Sequence, residues 1–156
     1  MFELISALVL LAAEPLPPAN PLPPPEFNDA QVLATIDAAF VALEAGDGTA
    51  LLRHAYPDGR VTAMGTLRDG STGLRSSSFA EYAGRMKLGT GFVERVTNPV
   101  IEIDDDVAMV WAPFTISAEG KVVSCGTDHF DLLRQDGIWK IMNLTFSSRL
   151  TGCSGQ

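Results

Sequence analysis

The stretch Val122–Arg149 constrains this chain most, because two runs of β-branched, aromatic and aliphatic residues flank Arg134-Gln135-Asp136-Gly137. Asp-Gly between such runs predicts a two-residue hairpin, since a type I′ turn needs φ > 0 at both central residues. With Asp136 and Gly137 in the turn, Gln135 pairs with Ile138, Leu132 with Ile141, Phe130 with Asn143, and Asp128 with Thr145. Successive side chains of a strand point to opposite faces. One face then carries Gly126, Asp128, Phe130 and Leu132 beside Trp139, Ile141, Asn143, Thr145, Ser147 and Arg149. The other carries Cys125, Thr127, His129 and Asp131 beside Lys140, Met142, Leu144 and Phe146. A face that is apolar near the turn and polar further away is what a ligand cavity looks like from inside. It predicts a pocket and names no ligand.

Upstream, Asn28 or Asp29 can cap a helix whose apolar stripe is Val32, Leu33, Ile36, Ala39, Phe40 and Leu43, ending at Gly46. Asp47 can cap a second helix over Gly48–His54, which stops before the turn cluster Tyr56-Pro57-Asp58-Gly59. A strand is expected over Val61–Leu67, with Arg68-Asp69-Gly70 as its turn. Ser76-Ser77-Ser78 with Glu81 forms a capping box for a helix over Phe79–Leu88. Strands follow at Phe92–Val96, Val100–Ile103 and Val107–Ile116, with Asp104-Asp105-Asp106 as a solvated turn. Those acids lack the glycine and distal glutamate of a calcium loop. Glu119-Gly120 closes the next hairpin, which would set Thr115 opposite Ser124 and Trp111 opposite Asp128. Met109, Trp111, Pro113 and Thr115 would then join the mixed inner face. Early helices followed by a run of antiparallel strands make an α+β domain, with helices on one face of a curved sheet.

At 156 residues, 46% hydrophobic and 19% charged, the chain can fill one core. A net charge of −8 with no Lys/Arg-rich run argues against nucleic acid and anionic membrane surfaces as partners. Residues 1–13 read as a cleaved export signal: Leu4–Ala13 is apolar, too short to span a bilayer, and ends in small residues. Its first residues, Met1-Phe2-Glu3, lack the usual basic charge, so a helix packed on the domain is the other reading. Residues 14–27 form a linker in which seven of the 13 residues of Glu14–Glu26 are proline, an extended spacer. Residues 28–150 are the folded domain and 151–156 a short tail. The expected location is periplasmic or secreted, with no membrane insertion after processing.

The element order, with long strands closing on Gly137-Ile138-Trp139-Lys140-Ile141, resembles the nuclear transport factor 2-like superfamily, which includes ketosteroid isomerase and SnoaL-like cyclases. Cys125-Gly126-Thr127-Asp128-His129-Phe130-Asp131-Leu132, that hairpin and a terminal Cys153 look like its lumazine-binding branch. The resemblance implies a cone-shaped, curved antiparallel sheet wrapped around N-terminal helices, a pocket between them, and a homodimer formed through the outer sheet face. It implies no shared reaction, because this fold hosts many.

Asp128 is the candidate acid or base: a carboxylate inside a partly apolar cone has its charged form disfavoured. The competing reading is a structural carboxylate held by Arg149 or Asn143. Trp111, Asn143, Thr145, Tyr56, His54 and Arg149 are candidate ligand contacts, with simple burial as the alternative for Trp111 and Trp139. His129 falls on the outer face beside Asp131, where an interface role fits better than catalysis. Cys125 and Cys153 are the only cysteines, and an even count in an exported protein suggests a disulfide. Two histidines without converging partners give no metal site, and no signature indicates a cofactor. Three functions follow in order: an exported domain binding a small, mostly apolar ligand; an isomerase, dehydratase or cyclase using Asp128; and an interaction module with a vestigial pocket.

Overall fold

The computed structural model describes residues 27–89 and 92–155, so the expected export signal and nearly all of the proline-rich spacer lie outside the described residues. Helix α1 spans Phe27–Ala45 and buries Val32, Ile36, Phe40 and Leu43 along one stripe. Gly46, at φ 70°, ends it, and a Cβ there would stand 1.9 Å from the Lys87 carbonyl oxygen. Helix α2, Gly48–His54, is capped by Asp47, whose side chain accepts from the Ala50 N–H at 2.9 Å. Helix α3, Phe79–Gly84, opens with the expected capping box between Ser78 and Glu81, and stops one turn earlier than its spacing predicts.

Seven strands form one curved, unclosed sheet: β1 (Ala55–Thr66), β2 (Thr72–Ser78), β3 (Phe92–Val96), β4 (Val100–Asp104), β5 (Val107–Ala118), β6 (Lys121–Gln135) and β7 (Ile138–Ser148). Their order is β2-β1-β7-β6-β5-β3, with β4 also paired to β5. The sheet is mixed, which corrects the antiparallel expectation: β7 inserts beside β1 and runs parallel to it, Val61 pairing with Leu144 and Ala63 with Phe146. Tyr56–Gly59 does not turn; it is an irregularity within β1, where the register shifts between Ala55 and Arg60. Strand β2 carries almost no apolar pattern and was not expected. Its polar residues suit a sheet edge.

The last hairpin turns at Asp136 and Gly137, with φ 53° and 78°. Gln135 pairs with Ile138 and Leu132 with Ile141, as expected. A bulge then adds Met142, so Asp131 meets Asn143, Phe130 meets Leu144 and Asp128 meets Phe146. A second bulge adds Val123 opposite the Ile116/Ser117 step, setting Trp111 against His129 and Ala112 against Asp128. A slip of one residue exchanges faces. The concave face is therefore Ala108, Val110, Ala112 and Phe114 with Asp128, Phe130 and Leu132, all buried. Packed under the three helices, this face is the core.

Candidate functional site

Between the helices and the concave face lies a cavity of about 290 Å³. Phe40 and Leu43 of α1, Phe79 and Tyr82 of α3, and Leu144 and Phe146 of β7 supply much of its apolar wall. Asp128 is 1% exposed, and its Oδ2 has no hydrogen-bond partner among the described residues. Buried polar atoms are nearly always paired, so an orphaned carboxylate oxygen in a cavity wall is a group waiting for a partner. Burial pushes the Asp128 carboxyl well above the usual carboxylate range, and the neighbouring charge of Glu94 pushes it further.

Glu94 lines the same cavity from β3. Desolvation pushes its carboxyl up to about 7. Tyr82, Arg68 and Asp69 also line the cavity: burial first, then the charge of Glu94, pushes the Tyr82 phenol up to about 12. Two coupled carboxyls in an apolar wall hold a proton at neutral pH, because like charges in a poorly solvated site cannot both ionise cheaply. Such groups can donate to a ligand oxygen or nitrogen. Ser124 and Ser148 also reach the wall but are already engaged: their hydroxyls lie 3.2 Å apart, and Ser148 donates to the Thr66 carbonyl at 2.8 Å.

Of the residues expected at the site, the structure brings Asp128 alone to the cavity. The bulges turn Trp111, Asn143 and Thr145 to the convex face. Trp111 is 53% exposed there, its ring centroid 6.0 Å from that of His129. Asn143 donates to Asp131 Oδ2 at 3.2 Å and accepts from the Arg60 N–H, so it does not hold Asp128. Arg149 is exposed and meets the sheet through its backbone, which pairs with Cys125. No ion pair reaches Asp128 among the described residues. Tyr56 lies outside the cavity, 3.5 Å from Gln135 Oε1, beneath the Lys140 ammonium. His54, half-buried, is likewise off the wall, and burial lowers its pKa. Cys125 and Cys153 are joined in a disulfide, with Cα atoms 5.7 Å apart, which ties the tail back onto β6.

Glu94 and Tyr82 escaped the sequence reading, though each left a signal. Glu94 sits at period two between Phe92 and Val96, an acid on the apolar face of its strand. Tyr82 follows Phe79 by three residues, on the buried side of α3. Among the described residues, no three His, Cys, Asp or Glu side chains converge as metal ligands, and no helix is long and apolar enough to cross a membrane.

No family model matches the sequence, and no curated protein does. Solved structures do. A protein of unknown function with a cystatin-like fold from Nostoc punctiforme superposes at TM-score 0.64 and 14% identity, over 80% of this chain and 93% of that one. An NTF2-like protein with a cystatin-like fold from Novosphingobium aromaticivorans gives 0.61 and 14%, over 80% and 83%. The chain has the nuclear transport factor 2-like fold. A third such match, a protein of unknown function from Mycobacterium tuberculosis, gives 0.60 and 20%, over 77% and 70%. At these identities the NTF2-like likeness establishes the fold alone.

Proposed function

We propose that this chain is an exported single-domain protein that binds a small, mostly apolar ligand in the cavity, with Asp128 and Glu94 as neutral donors to an oxygen or nitrogen acceptor on it. The observation that carries this reading is the partnerless Asp128 oxygen facing an apolar wall. At about 290 Å³ the cavity is near the lower end of the range for small-molecule sites. An open cavity disfavours the vestigial-pocket reading. The apolar leader and the Cys125–Cys153 bond support export, because disulfides persist in oxidising compartments. A second copy would dock on the convex face, as the resemblance implies, where Trp111 and Met109 are exposed.

A second reading has its own support. With Glu94 near 7 and Asp128 beside it, the pair suits proton transfer in an isomerase, dehydratase or cyclase reaction. Asp128→Asn separates the two: an enzyme loses turnover, whereas a binder keeps most of its affinity.

Native mass spectrometry of the protein purified from its own periplasm or medium tests the first reading. The expected spectrum shows a mature N-terminus near Glu14, the two-hydrogen mass loss of a disulfide, and a bound small molecule. A full-length, reduced and empty protein would overturn both the export and the binding claims.

A further inference from the structure

A second recess of about 190 Å³ adjoins the main cavity, and Val61, Leu67, Tyr82 and Phe146 line both. Strand register explains its place. Val61 and Ala63 of β1 pair with Ser77 and Arg75 of the edge strand β2, and Ala63 pairs with Phe146 on its other side. These side chains share the concave face at its open edge. Arg85, the residue that ends α3, closes the recess and donates to Ser77 Oγ at 2.9 Å.

The charges in this recess are unusual for a chain of net charge −8. Arg85 makes no ion pair with a carboxylate among the described residues. Arg75 has one, with Asp69 at 3.6 Å, and both side chains are about half exposed or more. Such an exposed pair contributes little and exchanges readily. Glu81 accepts the Ser78 N–H at 2.8 Å, which holds its carboxyl below the usual carboxylate range, and the charges of Arg60 and Arg85 lower it further without a direct ion pair among the described residues. Tyr82 lines both spaces: Glu94, Asp128 and Arg68, whose charges act on its phenol, line the main cavity with it, and Arg85 lines the recess. The two spaces therefore share a wall: the main cavity is largely apolar with Asp128, Glu94, Arg68 and Asp69 on its lining, and the recess beside it carries Arg75 and Arg85. Guanidinium forks suit a carboxylate, and an open recess leaves its charge partly hydrated, avoiding the cost of full burial.

We propose that Arg75 and Arg85 bind the anionic head of the ligand, so that the natural ligand is an amphiphilic carboxylic acid whose apolar part lies in the main cavity. This rests on the reading of that cavity as a ligand site.

Calorimetric titration of the mature, disulfide-bonded chain with decanoate and with decanol, at about pH 6.5 where fatty carboxyls are ionised, tests it. The expected result is decanoate binding about tenfold or more tighter than decanol, with that advantage lost in the Arg75→Gln/Arg85→Gln variant. Decanol affinity should be unchanged in the variant, which also reports that the cavity is still folded. Equal affinity for the two probes in the wild-type chain, or a decanoate advantage that survives in the variant, overturns the anionic-head assignment and leaves the cavity reading intact. Binding of neither probe overturns both.

Discussion

Asp128 and Asp131 stand three residues apart on β6 and face opposite worlds. Asp131, on the convex face, accepts from Asn143 and lies 3.6 Å from His129 Nε2, with 43% of its side chain exposed. Asp128, on the concave face, is buried beneath the helices with an oxygen that nothing partners. One residue type on one strand thus becomes a hydrogen-bonded surface side chain or a buried acid in a cavity wall. An odd sequence separation is all that divides them. Local sequence does not set the chemistry of a carboxyl; the face does.

The largest test of that contrast places new charge on each face. Leu132→Asp, at a position 0% exposed on the concave side, should cost about 4 kcal/mol or more and leave the chain largely unfolded in mild urea. Leu133→Asp, half-buried on the convex side, should cost about 1 kcal/mol or less. Similar losses at both positions would mean that the faces are not distinct.

The buried Cys125 holds the tail to β6 through its bond to Cys153. Reducing the bond, or replacing Cys153 by Ser, should lower stability by about 3 kcal/mol for a bridge spanning 28 residues. Urea unfolding with and without reductant measures it, and an unchanged midpoint would show that the tail contributes nothing.

A comparable effect is expected from pH. Glu94 ionises at about 7 when folded, against an ordinary value of 4.5, so the folded state holds the extra proton between them. Its contribution is intact below about 4.5 and is lost as pH rises to about 7, a fall of about 3 kcal/mol at ~1.4 kcal/mol per unit. Asp128 acts in the same direction. Urea midpoints measured from pH 4.5 to 8 should decline in the wild type and decline less steeply in Glu94→Gln, where Asp128 still contributes; stability that rises across this window would contradict the assignment.

The smallest effect compares the two aspartates directly. At about pH 8, Asp128→Asn should stabilise by about 1 kcal/mol, because it relieves the buried acid, while Asp131→Asn should shift stability by about 0.5 kcal/mol or less. Equal responses would erase the distinction between the faces.

How far the sequence reached follows from these elements. The Asp136-Gly137 turn, the Asp47 cap and the Ser78/Glu81 box were legible because each is decided by a few neighbouring residues with a local hydrogen-bonding reason. The β-bulges at Met142 and Val123 were not, because neither residue differs from an ordinary strand residue, and one extra residue reverses every facing beyond it. Hence Trp111, Asn143 and Thr145 were assigned to the wrong side, while Asp128 was placed correctly because its own strand carries Phe130 and Leu132 in step with it. Glu94 was hidden for another reason. It lines the cavity from β3, two strands away from Asp128 on β6, a non-local fact that no window of sequence contains.

The central claim is that Asp128 and Glu94 form a carboxyl pair kept partly protonated by the cavity. Carbon-13 NMR titration of the Asp128 and Glu94 carboxyl carbons tests it most directly. The account predicts that Asp128 titrates well above the usual carboxylate range, that Glu94 ionises near 7, and that Glu94→Gln lowers the Asp128 titration. Both carbons titrating in the ordinary carboxylate range would mean a wet, charged cavity, and would remove the neutral donors on which the proposed function depends.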